Sequence, residues 1–247
     1  MKTNLFWNFA RFTKLINGST LNLFYWVNSA RSISSLELIS GVKNISSLMG
    51  TIIDVGANKG QFAAASKLVY PEASIICFEP DPNVFKRLKN NLKKYSRIQF
   101  WNYAIGSKDS HLEFWVNDYD LASSLLKPSE LHKHNFPQTQ HQKSILVDVK
   151  RLESLFKEKT IKRPSLLKID TQGFEKEVIK GAGTFLSQVD YLLLEISLQP
   201  MYEGEPLFDE INDYLRSLGF QLHTILGSLQ GSDGIILQVD AFYKRKK

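Results

Sequence analysis

The sequence predicts an α/β fold: a doubly wound, mostly parallel sheet that ends in an antiparallel pair of strands. From residue 51 onward, short apolar runs alternate with amphipathic segments, beginning with "TIIDVG" and "QFAAASKLVY". The last two apolar runs, "FQLHTIL" and "GIILQVDAFYKR", are joined by the turn-forming "GSLQGSDG" and predict a hairpin. A chain of 247 residues is long enough for one such domain with a short appendage.

The elements follow one another in a regular order. Asp81 is a suitable N-cap for the helix after the second strand, because Pro82 occupies its first position. Gly181 and Gly183 are stop signals for a helix that starts near Phe174. The second to fifth strands are predicted, in order, at "SIICFEP", "IQFWNYAIG", "SLLKID" and "YLLLEIS".

Two segments depart from this alternation. Residues 1–48 carry aromatic residues at helical spacing and predict a helical N-terminal cap on a main domain of residues 49–247. The cap either packs on that domain or docks to a partner or a membrane surface. Residues 107–150 form a predicted insertion, in which "HLEFWVND" and "SILVDVKRL" have the period of strands. The polar, histidine-rich stretch between them predicts a binding loop or lid.

Composition narrows the class of protein. The net charge of +6 is modest and mostly scattered, so we expect ordinary solvated faces rather than a nucleic-acid surface. A lone cysteine, Cys77, excludes an intrachain disulfide and a thiol metal site, which favours a reducing compartment. No apolar run approaches the ~20 residues of a membrane span. We therefore expect a cytoplasmic protein, with peripheral contact at the inner membrane face as an option through the cap.

A glycine turn between two strand-end acids points to a ligand. Asp54 and Glu79 lie where the first two strands end, and Gly56 and Gly60 enclose the turn "GANKG". This spacing is neither the dinucleotide fingerprint nor the phosphate loop. Glu79 is placed to accept hydrogen bonds from a ribose diol, and Asp54 to meet an ammonium group. These demands describe S-adenosylmethionine; the alternative is that both acids simply cap helices.

Six ordered segments between about residues 51 and 240 strengthen this interpretation. They are "DVGANKGQF", "FEPDP", "NYAIGS", "SSLL", "KIDTQGFEKEVIKGA" and "LLLEISLQPMYEGEPLFDEI". Together they closely resemble the FkbM family of S-adenosylmethionine-dependent methyltransferases. The resemblance implies a class I methyltransferase fold with a seven-stranded sheet, and transfer usually to an oxygen of a sugar or natural product. The cofactor contacts that it implies are Asp54, Gly56, Ala57, Asn58, Gly60, Glu79 and Asp81, with Ala104 near the adenine and Ser123 and Ser124 closing over the cofactor.

This chain departs from the resemblance in two places. The family more often has Val-Glu where this sequence has Thr171 and Gln172, so one carboxylate is missing near the predicted site. The first 50 residues lie outside the resemblance altogether.

Catalytic candidates end the fourth and fifth strands. Asp170 is predicted as the base or substrate orienter, with a helix N-cap as the alternative, and Glu195 as base or ion-pair partner. Lys168 shares a face with Asp170 on a buried strand, so we expect it to pair with Glu195 or Asp54 and to border the substrate. Glu175 is predicted to favour the helix dipole rather than to act in catalysis.

Acceptor contacts are expected from two loops. Tyr202 offers a stacking face for a sugar and Glu203 an acceptor for hydroxyls, unless both simply shape their loop. His132 and His134 lie in the insertion and are further candidates, although such histidines commonly face solvent. An Asp170 and Glu195 pair is an alternative site for a divalent ion, although no metal-ligand spacing supports it.

These observations predict an S-adenosylmethionine-dependent O-methyltransferase acting on a hydroxyl of a saccharide, glycolipid or related metabolite. The N-terminal helices would then hold it near membrane-bound acceptors or a glycosyltransferase. One alternative is a non-catalytic module that binds the cofactor. The other is methylation of nucleic acid or protein, against which stands "KIDTQG" in place of the Asn-Pro-Pro-Tyr signature of base methylation.

Overall fold

The computed structural model describes residues 30–117, 123–136 and 142–246. Over these residues the chain forms ten strands and seven α-helices. The aromatic positions before residue 30, on which the prediction of a partner or membrane contact depends, lie outside the described residues, so that prediction stays open.

The strands are short and mostly buried. In chain order they are β1 (Thr51–Val55), β2 (Ser74–Phe78), β3 (Ile98–Trp101), β4 (Ala104–Ile105), β5 (Ser110–Asn117), β6 (Gln142–Lys150), β7 (Ser165–Ile169), β8 (Tyr191–Ser197), β9 (Phe220–Gln230) and β10 (Ile236–Arg245). The helices are α1 (Ile33–Ile45), α2 (Gln61–Val69), α3 (Pro82–Leu92), α4 (Glu130–Asn135), α5 (Leu152–Leu155), α6 (Glu175–Ala182) and α7 (Phe208–Ser217).

Seven strands form the main sheet in the order β3-β2-β1-β7-β8-β10-β9. The first five of these are parallel, and β10 runs antiparallel to both β8 and β9. Strand order reverses between β1 and β7, which is where open α/β sheets bind ligands. The predicted sheet and its terminal antiparallel pair are confirmed.

The register places the predicted site residues side by side. Asp54 on β1 lies opposite Cys77 on β2 and Lys168 on β7. Because these strands are parallel, the segments that follow them leave the sheet at the same edge. The turn after β1 and the loops after β2, β7 and β8 therefore converge there.

The predicted third strand is wrong at its end. It was expected to run through "IQFWNYAIG", but β3 stops at Trp101, and β4 belongs to another sheet. Asn102 Nδ2 donates to the carbonyls of Glu79 and Pro80, at 2.8 and 2.9 Å. Because the Asn102 side chain occupies the carbonyls that follow β2, the backbone after Trp101 does not continue the pairing with β2 and leaves the sheet.

The insertion folds against this edge. Its strands β5 and β6 pair antiparallel, as their sequence period indicated, and β4 completes a three-stranded sheet beside β6. Helix α4 follows the loop after β5, and Ser129 caps it by accepting from the His132 amide at 3.2 Å.

Helix α1 is the described part of the predicted N-terminal cap. Ser32 caps it, its side chain accepting from the Ser35 amide at 3.2 Å. Leu36, Ile39 and Val42 are fully buried in the same apolar cluster as the alanine-rich face of α2. This packing holds the start of α1 at the edge of the sheet where the loops converge.

Candidate active site

The glycine turn after β1 brings two strand ends into contact. Gly56 has a φ of +76°, and a Cβ there would lie 1.9 Å from the Asp170 carbonyl oxygen. Only glycine permits both this conformation and this approach. The Gly56 and Ala57 amides donate to the Phe78 carbonyl at 3.1 and 2.9 Å, which ties the turn to β2 as well.

Glu79 is the acid that faces this turn. Its two carboxylate oxygens accept from the Asn58 and Asp81 amides, each at 2.9 Å. Burial raises the pKa of the Glu79 carboxyl to about 8, although these two hydrogen bonds act in the opposite direction. Asp81 caps α3 as predicted, accepting from the Asn83 amide at 2.7 Å. The capping role thus belongs to Asp81, and Glu79 remains available to a ligand.

A small cavity of about 70 Å³ opens between this acid and the insertion. Its walls are apolar at Phe78, Ile105 and Phe114, with Glu79 among the polar residues that border it. Ala104 and Ser123, two of the residues predicted to lie near the cofactor, line it too. Apolar walls with a few convergent polar groups are typical of a small-molecule binding site.

Lys168 forms a buried ion-pair cluster under the turn. Its ammonium lies 3.2 Å from Asp54 Oδ1 and 3.2 Å from Asp170 Oδ2, and it donates to the Gly56 carbonyl at 3.2 Å. The expected pairing with Asp54 is confirmed, whereas the alternative partner, Glu195, forms no ion pair with Lys168 in the structure. Asp54 is fully buried, and burial raises the pKa of its carboxyl against the effect of Lys168.

Gln172 connects the two predicted catalytic acids. Its Nε2 donates to Asp170 Oδ1 at 2.8 Å and also to Glu195 Oε2. Tyr202 Oη donates to Gln172 Oε1 at 2.6 Å. Burial, and then the charge of Asp170, raise the pKa of the Glu195 carboxyl. The departure from the Val-Glu pattern therefore places a neutral amide between two carboxylates.

A second carboxylate holds the backbone around Gln172. Glu175 Oε1 accepts from the Thr171 and Gly173 amides at 2.9 and 3.2 Å. Ser124 Oγ donates to the Gln172 carbonyl at 2.6 Å, so Ser124 supports this loop rather than lining the small cavity. The helix that follows begins at Glu175, so the proposed N-cap role of Asp170 is wrong.

A larger cavity of about 440 Å³ adjoins the small one, and we call it the acceptor cavity. Gly56, Asn58, Asp170 and Gln172 line both cavities. Ala57, Lys168 and Glu195 border only the larger one. Its far wall comes from Ser32, Ser34 and Ser35 at the start of α1.

The predicted acceptor residues divide into two groups. Tyr202 is 1 % exposed and His132 is 5 % exposed, and their rings lie 5.2 Å apart. His132, a predicted acceptor contact, lines the acceptor cavity rather than facing solvent, and burial lowers the pKa of its imidazole. Glu203 and His134 are exposed and line neither cavity.

Two lining residues, Gln238 and Asp240, escaped the sequence analysis. The only sequence signal for them was a polar residue and an acid inside the apolar run of β10.

The described residues hold neither a clustered metal site nor a membrane-spanning helix. No group of three or more His, Cys, Asp or Glu side chains in that part of the chain is arranged to hold a metal ion. Within the same ranges, the structure contains no helix with the length and apolar character needed to cross a bilayer.

Sheet order, glycine turn and strand-end acid together define a class I, S-adenosylmethionine-dependent methyltransferase. One solved structure, a putative RNA methyltransferase, PH1948, from Pyrococcus horikoshii, superposes with a TM-score of 0.51 at 12% identity, covering 99% of this chain and 97% of that one. At that identity the likeness shows the fold alone. Residues 54–222 match the family model of the methyltransferase FkbM domain, and the chain therefore belongs to the FkbM methyltransferase family.

Three relatives align with more than half of the chain. The 2-O-methyltransferase NoeI of Sinorhizobium fredii is 28% identical, over 67% of this chain and 71% of that protein. Methyltransferase 1 of Beauveria bassiana is 31% identical, over 68% and 71%. The hexuronic acid methyltransferase AglP of Haloferax volcanii is 24% identical, over 58% and 54%.

Proposed function

We propose that this enzyme transfers a methyl group from S-adenosylmethionine to a hydroxyl of a saccharide, glycolipid or related metabolite. The observation that carries the proposal is the shared wall of the two cavities, where Asp170 borders both. The names of the relatives NoeI and AglP, a 2-O-methyltransferase and a hexuronic acid methyltransferase, support the same chemistry.

The lining of the small cavity supports its assignment to the adenosine end of the cofactor. In its ionised form Glu79 can accept two hydrogen bonds from a ribose diol, since each of its oxygens has a lone pair beyond its single backbone bond. Phe78 and Ile105 provide apolar faces for the adenine, beside Ala104. When bound, S-adenosylmethionine supplies a methyl group already activated by its positive sulfur.

Asp170 is then the residue that orients the acceptor hydroxyl and accepts its proton. Lys168 and Gln172 hold one oxygen each of its carboxylate, so its position is fixed where the cavities meet. A positioned carboxylate orients the hydroxyl and accepts its proton as the new bond forms. Glu195 lines only the acceptor cavity and is placed to bind a second hydroxyl.

Methyl transfer from tritiated S-adenosylmethionine tests the proposal. Glycans, a glycolipid, transfer RNA and a protein extract serve as acceptors in parallel reactions. We expect label in the saccharide fractions, and its loss in Asp170→Asn while the variant still binds S-adenosylhomocysteine. Label confined to RNA or protein would contradict the acceptor class. Cofactor binding without transfer to any of them would support a non-catalytic module instead.

A further inference from the structure

We infer that the acceptor cavity selects a sugar or polyol whose entering ring carries no carboxylate or phosphate, and that Glu195, Gln238 and Asp240 bind donor groups on that ring. This inference rests on the proposed function and names the chemical class of its acceptor.

The charges around the acceptor cavity are unbalanced. Three carboxylates line it, from Asp170, Glu195 and Asp240. Among the described residues, Lys168 is the only lysine or arginine that lines it, and its ammonium already pairs with Asp54 and Asp170. An anionic ring would therefore meet like charges without a free cation, which is unfavourable in a partly buried site.

Asp240 is the one of these three carboxylates that has no hydrogen-bond or ion-pair partner among the described residues. It lies on β10 directly opposite Glu195 on β8. Across residues 30–117, 123–136 and 142–246, no side chain or backbone amide forms a hydrogen bond or ion pair with its carboxylate. Burial, and then the charge of Asp170, raise the pKa of the Asp240 carboxyl to about 6. The cavity thus already resists one more negative charge.

Gln238 adds an unused acceptor to the same strand. It is 5 % exposed, and its Nε2 donates to Ser197 Oγ at 3.3 Å. No donor in the described part of the chain reaches its Oε1. Gln238 lines the acceptor cavity, so a ligand there can donate a hydrogen bond to this oxygen. Sugar hydroxyls and ammonium groups donate, whereas an ionised carboxylate offers acceptors only.

The opposite wall does not reverse this preference. It contains the start of α1, and a helix N-terminus carries roughly half a positive charge. The Ser32 hydroxyl already accepts a hydrogen bond from the Ser35 amide there. Half a unit charge across the cavity is smaller than the net negative charge that Asp170, Glu195 and Asp240 carry against Lys168 when they are ionised.

Three glycosides that share a ring test the inference: p-nitrophenyl β-glucoside, β-glucosaminide and β-glucuronide. Their binding to the full chain loaded with S-adenosylhomocysteine is followed by saturation-transfer NMR at low salt and pH 7.5. We expect the glucoside and the glucosaminide to bind about tenfold more tightly than the glucuronide. Equal or tighter binding of the glucuronide would overturn the inference, as would binding of none of the three.

A variant without the Asp240 charge tests whether this residue causes the preference for the glucoside over the glucuronide. Asp240→Asn keeps the shape of the side chain and is expected to reduce the glucoside preference by roughly threefold or more. Asp233→Asn makes the same change on the same hairpin outside the cavity, and should leave the preference unchanged. Thermal unfolding of both variants verifies that they fold. An Asp240→Asn protein that folds and keeps the full preference would count against the role of Asp240.

Methyl transfer separates the two proposals. If no glycoside is methylated but the order of binding holds, the proposed function fails while the preference of the cavity stands. If the glucuronide is methylated better than the glucoside, the function stands and this inference fails.

Discussion

Gln172 and Tyr202 fix each other's polar groups beside the two acids of the site. Tyr202 Oη donates to Gln172 Oε1 at 2.6 Å, so the amide nitrogen of Gln172 must point toward Asp170 and Glu195. Gln172 holds this position in a left-handed backbone conformation, with a φ of +57°. A strained backbone at such a point is typical of a functional site.

Gln172→Glu is predicted to lower kcat about tenfold or more, because a third carboxylate would crowd Asp170 and Glu195. The added negative charge should raise the pKa of the base, so the acidic limb of the pH–rate profile should move to higher pH. Steady-state rates between pH 5 and 9 measure both effects.

Gln199→Glu is the matched control, since Gln199 is exposed on the loop after β8. An unchanged pH profile in Gln172→Glu would show that the amide does not tune the acids.

Glu79→Ala is predicted to weaken S-adenosylmethionine binding by roughly 10- to 100-fold. A hydrogen bond contributes about 0.5–1.5 kcal/mol net, and the variant removes both of those that a ribose diol would make, which together is about 1–3 kcal/mol. Calorimetric titration gives the dissociation constant. Glu72→Ala, on the exposed turn before β2, should bind like the native protein. Native affinity in a folded Glu79→Ala would remove Glu79 from the cofactor site.

Stability should fall as pH rises through the neutral range. Burial raises the pKa of Glu79 from 4.5 to about 8, and that of Glu175 to about 7. Between these pKa values and the unfolded ones, the folded state holds protons that the unfolded state has lost, so raising the pH favours unfolding. Urea unfolding at pH 6 and pH 8.5 measures the difference.

Glu79→Gln should make this pH dependence shallower, because the amide does not titrate. Glu72→Gln should leave the slope unchanged. A slope of the same steepness in Glu79→Gln would mean that Glu79 is not the group responsible.

Gly56→Ala is predicted to destabilise the fold by about 3 kcal/mol or more. Its Cβ would overlap the Asp170 carbonyl oxygen, in addition to the cost of a positive φ for alanine. Gly204→Ala is the matched control, since Gly204 has a φ of +72° and nothing within 4 Å of the added Cβ. Chemical denaturation should show the larger loss at Gly56, and equal losses would exclude the clash.

Local patterns were sufficient for the frame of the site. The apolar runs predicted β1, β2, β7 and β8. The glycine turn and Glu79 were each recognised from the few residues that follow one strand. Asp81 was recognised as a cap because a capping acid and a proline at the first helical position lie side by side. Such signals involve a few neighbouring residues, so one sequence carries them in full.

Features that depend on long-range contacts were not predicted from the sequence. β3 ends early because Asn102 bonds to carbonyls more than twenty residues away. His132 is buried because it packs on Tyr202, seventy residues further along the chain. The hydrophobic periodicity of the sequence indicates neither of these two contacts.

The class of fold, the glycine turn and the acid at the end of β2 follow from the sequence, because each depends on hydrophobic period and backbone conformation within one segment. Which polar groups meet in the acceptor cavity depends on the tertiary structure. Gln172, Glu195, Asp240 and the start of α1 come from four separate segments. Strand order and the packing of α1 bring them together, and these depend on contacts between residues far apart in the chain.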